Sequence, residues 1–185
     1  MTGSETNVDT QAQWEVRDIL PRSATIIKAF RTSDSQNCCR SFVLETARAL
    51  ADLHQQQWKA EDTSRTPGTS AEDVAASKRR IDELNARRVS LVEQIDMWAA
   101  GEIHSQVEEA SLHTETMGSV IDRLAIAWVR ANNLTRAGNR ERARLGLRQL
   151  TELADAYDDL VRDIGAGQRR IPTWRPLKTY GGEES

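Results

Sequence analysis

Three groups of residues have the types and spacing to do chemistry. The first is His54, Trp58, Glu61 and Asp62, which on a helix would lie within two turns of one another, with His54, Trp58 and Glu61 on one side. An imidazole held beside a carboxylate away from water is tuned to take or give a proton near neutral pH. The same spacing equally describes a histidine packed on a tryptophan, with Glu61 paired to an arginine of a neighbouring helix. The second group is Lys78, Asp82, Asn85, Arg88, Glu93 and Asp96. Lys78, Asn85 and Arg88 fall on or beside an apolar stripe, and a cation turned toward a core is costly unless it is paired. Each then requires water at the bundle end, an anionic ligand, or an internal anion, for which Glu61, Glu115 and Asp122 are candidates. A guanidinium in such a place suits a bidentate clamp on carboxylate or phosphate. The third group is His113-Thr-Glu-Thr-Met-Gly-Ser119 followed by Asp122-Arg123. There a loop feeds a helix start, whose free N–H groups and dipole favour an anion. Gly118 and Ser119 would allow close approach by a ligand, while Glu115 could satisfy the dipole by itself.

Metal and cofactor chemistry finds little support. No Glu stands three residues before His54, His104 or His113, as the Glu-x-x-His pairs of di-iron bundles require. No His-Glu-x-x-His, phosphate loop, dinucleotide fingerprint or nucleophile elbow occurs either. The expectation is no metal and no cofactor. Cys38 and Cys39 are adjacent, cannot staple a fold, and read as reduced thiols.

These residues need helices to position them. The segment 35–64 carries Val43, Ala47, Leu50, His54, Gln57, Trp58 and Glu61 at steps of three and four, and Thr66-Pro67-Gly68 ends it. Thr69-Ser70-Ala71-Glu72 has the form of a capping box for the next helix, which runs to about residue 100. Its stripe is Val74, Lys78, Ile81, Leu84, Asn85, Arg88, Leu91, Ile95 and Trp98. Residues 102–114 read as loop or short helix. Thr116 caps a helix over 117–136, and the Gly138-Asn139 turn leads into another whose stripe includes Leu147, Leu150, Leu153, Tyr157, Leu160 and Ile164. A first helix ends near Arg31, with Pro21 either in its first turn or kinking it. The fold class is all-α: an antiparallel bundle of four to five helices over residues 11–168. A disordered stretch covers residues 1–10, and an extended basic and aromatic tail follows over 169–185.

Bulk properties remove several function classes. The chain has 185 residues, a net charge of −3 and a pI near 5.7, so no global basic field attracts nucleic acid, and that partner is disfavoured. The longest apolar run, Leu124 to Val129, is far below the ~20 residues of a membrane span, so no membrane partner is expected. The start lacks a signal-peptide pattern, which points to the cytoplasm. The arginines around the fourth turn, Arg130, Arg136, Arg140, Arg142, Arg144 and Arg148, read as a solvated surface diluted by Glu141.

Four runs taken together resemble a bacterial family known as domain of unknown function 4254: LHQQQWKAED (53–62), KRRIDELNARR (78–88) continuing to Asp96, HTETMGSVIDRL (113–124) and RIPTWRPLKTYGG (170–182). The match covers roughly residues 40–182. Met117 stands where Pro, and His113 where Asn, is more usual in the family. The resemblance implies an all-helical cytoplasmic protein and supplies no activity.

Two functions fit these readings. One is a small-molecule enzyme or binder with an anionic ligand inside the bundle. In it His54, Glu61, Asn85, Glu115 and Asp122 are the candidate catalytic groups, and Trp58, Lys78, Arg88, Ser119 and Arg123 the candidate ligand contacts. Arg88 and Arg123 would clamp the anion. The alternative is a non-catalytic interaction module or homodimer whose polar face is an ion-pair network fixing helix register.

Overall fold

The computed structural model describes residues 19–31, 42–103 and 106–173. The expectations for residues 1–10, for Cys38 and Cys39, for His104 and for the tail beyond Thr173 lie outside the described residues.

Helix α1, Ser23–Arg31, is short, and its ladder starts at the Arg22 carbonyl, so Pro21 lies just ahead of the helix. α1 is held from a distance. Asp158 accepts the Ser23 N–H at 2.8 Å and the Ser23 hydroxyl at 2.8 Å, supplying from another helix the acceptor that a first turn lacks. The Tyr157 hydroxyl donates to the Pro21 carbonyl at 3.0 Å. α2, Phe42–Arg65, buries Val43, Ala47, Leu50 and His54 at the three- and four-residue steps of one helix face. α3, Ala71–Glu102, is capped by Ser70, one residue later than the capping-box reading placed the cap. The Ser70 hydroxyl accepts from the Asp73 N–H, while Thr69 instead bonds back to the Thr63 and Thr66 carbonyls.

Among the described residues 106–116, between α3 and α4, the chain forms a two-residue strand, β1, Ser111–Leu112. α4, Met117–Arg136, is capped by Thr116, whose hydroxyl accepts from the Ser119 N–H. Gly138, at φ 72°, makes the left-handed step that turns the chain back into α5, Arg140–Gly165. Past α5, β2, Arg169–Arg170, pairs in parallel with β1, with Ser111 opposite Arg169 and Leu112 opposite Arg170. Only the head of the expected extended tail is thus seen, and it is tied down: Ile171 N–H donates to Gln106 Oε1 at 2.6 Å. A pairing two residues long is too short to leave any alternation in the sequence.

The architecture is all-α, a helical bundle. α4 packs against α1, α2, α3 and α5, and α2 also packs against α1 and α3. Ile26, Leu50, Ile95, Met117, Ile121, Leu124, Tyr157 and Ile164 belong to one buried cluster. α3 overshoots this core. Its buried residues are Leu84, Ile95 and Ala99, with none in the first third of the helix. That geometry corrects one expectation: Lys78 is exposed, because it lies in the part of α3 that buries no residue against the core. Leu147, read as part of the α5 stripe, is likewise 51% exposed, since α5 turns Ala143, Gly146 and Leu150 inward instead.

Where α4 begins it nearly touches α3. The Gly118 N–H donates to Asp96 Oδ1 at 2.6 Å, and a Cβ on Gly118 would sit 2.4 Å from the Val92 carbonyl oxygen. The contact is backbone to backbone and cannot yield by a rotamer change. Gly118→Ala is therefore expected to lower unfolding free energy by about 1–3 kcal/mol, the usual cost of overpacking. Urea denaturation measures it, and an unchanged midpoint would mean the two helices can part freely.

Candidate functional site

Asp122 is the centre of the polar interior. It is the second residue of an Ile121-Asp122 pair on α4, and both are buried because α2 and α3 close over that face. Only 2% of the Asp122 side chain reaches solvent. His54 Nε2 on α2 lies 2.7 Å from Oδ1. Arg88 on α3 donates from Nε at 3.0 Å and from its terminal nitrogen at 2.6 Å to Oδ2. One carboxylate thereby ties three helices together.

The electrostatics of this cluster fix its protonation. Burial works to raise the Asp122 carboxyl, but hydrogen bonds from His54 and Arg88 and their charges outweigh it and hold the group below the usual carboxylate range. Asp122 is then ionised and can only accept. The His54 nitrogen facing it, Nε2, must therefore carry a proton and donate. In the neutral ring this leaves the lone pair on Nδ1, which has no hydrogen-bond partner among the described residues. A carboxylate that selects the tautomer and leaves the lone pair on the other nitrogen is the arrangement by which a histidine becomes a general base.

His54 faces a cleft of about 250 Å³. Trp58, Glu61, Arg88 and Arg130 line it, with Ile126 and Val129 of α4 as the apolar wall. Gln57 lines it too and donates to Asn85 Oδ1 at 3.0 Å, which sets Asn85 behind the cleft wall. Glu61 is held by Arg65, one turn on, at 3.0 Å. Arg130 has no carboxylate partner among the described residues. Deeper along the α2–α4 seam, Gln55 donates to Asn133 at 3.1 Å, and Asn133 Nδ2 is the one buried side-chain polar atom without a partner among the described residues.

Of the residues singled out from sequence, His54, Trp58, Glu61 and Arg88 meet at the cleft, with Asp122 and Asn85 supporting them. Four others are placed elsewhere. Lys78 is on the exterior. Ser119 is spent in the α4 cap, accepting a hydrogen bond from the Thr116 hydroxyl at 3.0 Å. Glu115 pairs with Arg123 at 2.7 Å, and Arg123 is exposed on the far side of the α4 ridge, so it cannot join Arg88 in a clamp. Arg130 and Gln57 were missed as site residues. Arg130 sits eight residues beyond Asp122, about two helical turns, and that spacing could have placed it near the cleft.

A family model described as "Protein of unknown function (DUF4254)" matches residues 44–173. The chain belongs to that family. No curated protein and no solved structure matches it. The matched stretch holds every residue of the cleft, so the polar centre lies within the DUF4254 region. Among the described residues no three His, Cys, Asp or Glu side chains converge as a metal site, and no helix is long and apolar enough to cross a membrane.

Proposed function

We propose that the cleft binds a small organic monoanion and that His54 exchanges a proton with it. The observation carrying this reading is the charge balance around the cleft. Asp122 neutralises Arg88 and Arg65 neutralises Glu61, which leaves Arg130 as the one uncompensated charge on the lining among the described residues. One net cation facing a half-enclosed space favours one negative charge. The volume of about 250 Å³ lies at the small end of ligand pockets, which run from roughly 300 Å³ upward, so the charged part of the ligand is compact. A carboxylate is the simplest such group, with Arg130 as its contact, the exposed edge of Arg88 beside it, and Nδ1 of His54 as the base.

NMR titration with acetate tests this. Arg130→Met is expected to weaken acetate binding about tenfold, the equivalent of ~1.4 kcal/mol. The fold should be unaffected, because Arg130 makes no ion pair among the described residues. Equal binding by the variant, or no binding by the wild type, counts against the reading.

A second reading is favoured by the same Asp122 geometry. A carboxylate that joins α2, α3 and α4 also fixes helix register with no ligand at all. In that case the protein is an interaction module, alone or as a homodimer. The two readings part on whether Arg130 matters to anything.

A further inference from the structure

A second groove adjoins the first. It lies between α4 and α5, measures about 430 Å³, and is floored by Ile126, Ala127 and Leu153. Two residues, Ile126 and Arg130, line both spaces. The two depressions therefore adjoin, as the two flanks of one α4 ridge that carries Ile126 and Arg130.

Their electrostatics differ. On the rim of the second groove Arg123 is taken by Glu115 at 2.7 Å, and Glu152 by Arg148 at 2.8 Å. Among the described residues no unpaired charge is left there apart from the shared Arg130. Polar rim groups already bonded to one another neither attract a second anion nor reward a polar substituent. The floor of one isoleucine, one alanine and one leucine rewards removal of hydrocarbon from water.

We infer that the ligand is amphiphilic: a carboxylate seated at Arg130 in the first cleft, bearing an aliphatic substituent that crosses Ile126 and lies on Ala127 and Leu153. This rests on the proposed anion site and names the ligand class that site takes. Arg130 is the pivot. It is the last charge the head group meets and the first residue the chain passes.

The test is a chain-length series on the full protein, with acetate, butanoate and hexanoate titrated by NMR. Affinity is expected to rise with length, by up to about fourfold per methylene if each is fully buried. Shift changes unique to hexanoate should fall on Ile126, Ala127 and Leu153. Gln149→Trp, a substitution at an exposed position on the groove rim, is expected to abolish the gain from acetate to hexanoate while leaving acetate binding as it was. Arg130→Met should weaken all three acids by the same factor. Wild-type affinity that is flat across the series, or a gain that survives Gln149→Trp, overturns the second subsite while leaving the anion site standing. Failure of all three acids to bind overturns both. A flat series together with a change of sedimentation in Gln149→Trp would mean that a second copy of the chain covers the groove, which also overturns the proposal.

Discussion

Asp122→Ala is expected to remove about 2–3 kcal/mol of unfolding free energy, below the ~3–5 kcal/mol of a fully buried pair because Arg88 is 39% exposed and its charge can turn to water. Measured against the ~5–15 kcal/mol that holds a typical domain folded, this is a large fraction. The loss has two sources. The buried His54 and the half-buried Arg88 forfeit their acceptor, and the guanidinium of Arg88 keeps its charge without a counter-ion. A companion variant separates structure from chemistry. Replacing all three residues with apolar ones of similar size, as His54→Leu, Arg88→Met and Asp122→Leu together, removes the charges along with their desolvation cost. This triple variant is expected to recover most of the lost stability and to be far closer to wild type than Asp122→Ala alone. If the cluster does no more than tie the three helices together, the triple variant should match the wild type in stability and in whatever the wild type binds. If it serves a ligand, the triple variant should fold and fail to exchange a proton with it. Urea denaturation of both proteins reads the first part. An Asp122→Ala protein as stable as wild type would mean that the three-helix junction contributes nothing.

How much of this was readable from the residues follows a physical line. α4 was legible, from Met117 to about Arg136, because both of its ends are local chemistry: a Thr116 hydroxyl at one, a Gly138 turn at the other. Asp122 was legible as a candidate, one of three acids able to pair with a core-facing cation of α3. Which acid Arg88 meets, and that His54 joins them, was not. His54 is 68 residues away and Arg88 is 34, and which of several acids a half-buried arginine meets is decided by helix packing that no periodicity encodes. Lys78 shows the converse failure. It keeps the phase of the α3 stripe, but phase gives only a direction. Whether anything stands in that direction depends on the neighbouring helices, and the first third of α3 buries no residue against them. Arg130 was hidden by company. Six arginines over residues 130–148 read as one solvated surface, and only the cleft separates Arg130 from the others. Ser119 was marked as a ligand contact and Glu115 as a catalytic group because they sit at a helix start. The N–H groups that would attract an anion there are already taken, Gly118 by Asp96 and Ser119 by the Thr116 hydroxyl.

Acid should expose the buried Asp122 and the half-buried Asp96 in opposite senses. Asp122 has its carboxyl pulled down in the folded state, so the unfolded chain binds its proton more readily. Its contribution is complete above the unfolded value near ~3.9 and drains away as pH falls through the folded one. Asp96 behaves the other way. Burial raises its carboxyl, with the Gly118 N–H and the Thr116 hydroxyl opposing and Glu93 adding to the rise, so the folded state holds this proton at a pH where the unfolded chain has released it. Asp96 therefore adds stability as pH falls through its folded value. One proton corresponds to a slope of at most about 1.4 kcal/mol per pH unit. Asp122→Asn is accordingly expected to be less stable than wild type at pH 7 and to lose little more between pH 4 and 2, because the group whose protonation drives that loss is gone. Asp96→Asn should instead decline more steeply than wild type on acidification from neutral, having lost the group that offsets it. Unfolding free energies by urea at stepwise pH give both slopes. Parallel curves for wild type and Asp122→Asn would show that the carboxylate between His54 and Arg88 carries no linkage to folding, and the ionised acceptor on which the His54 tautomer depends would go with it.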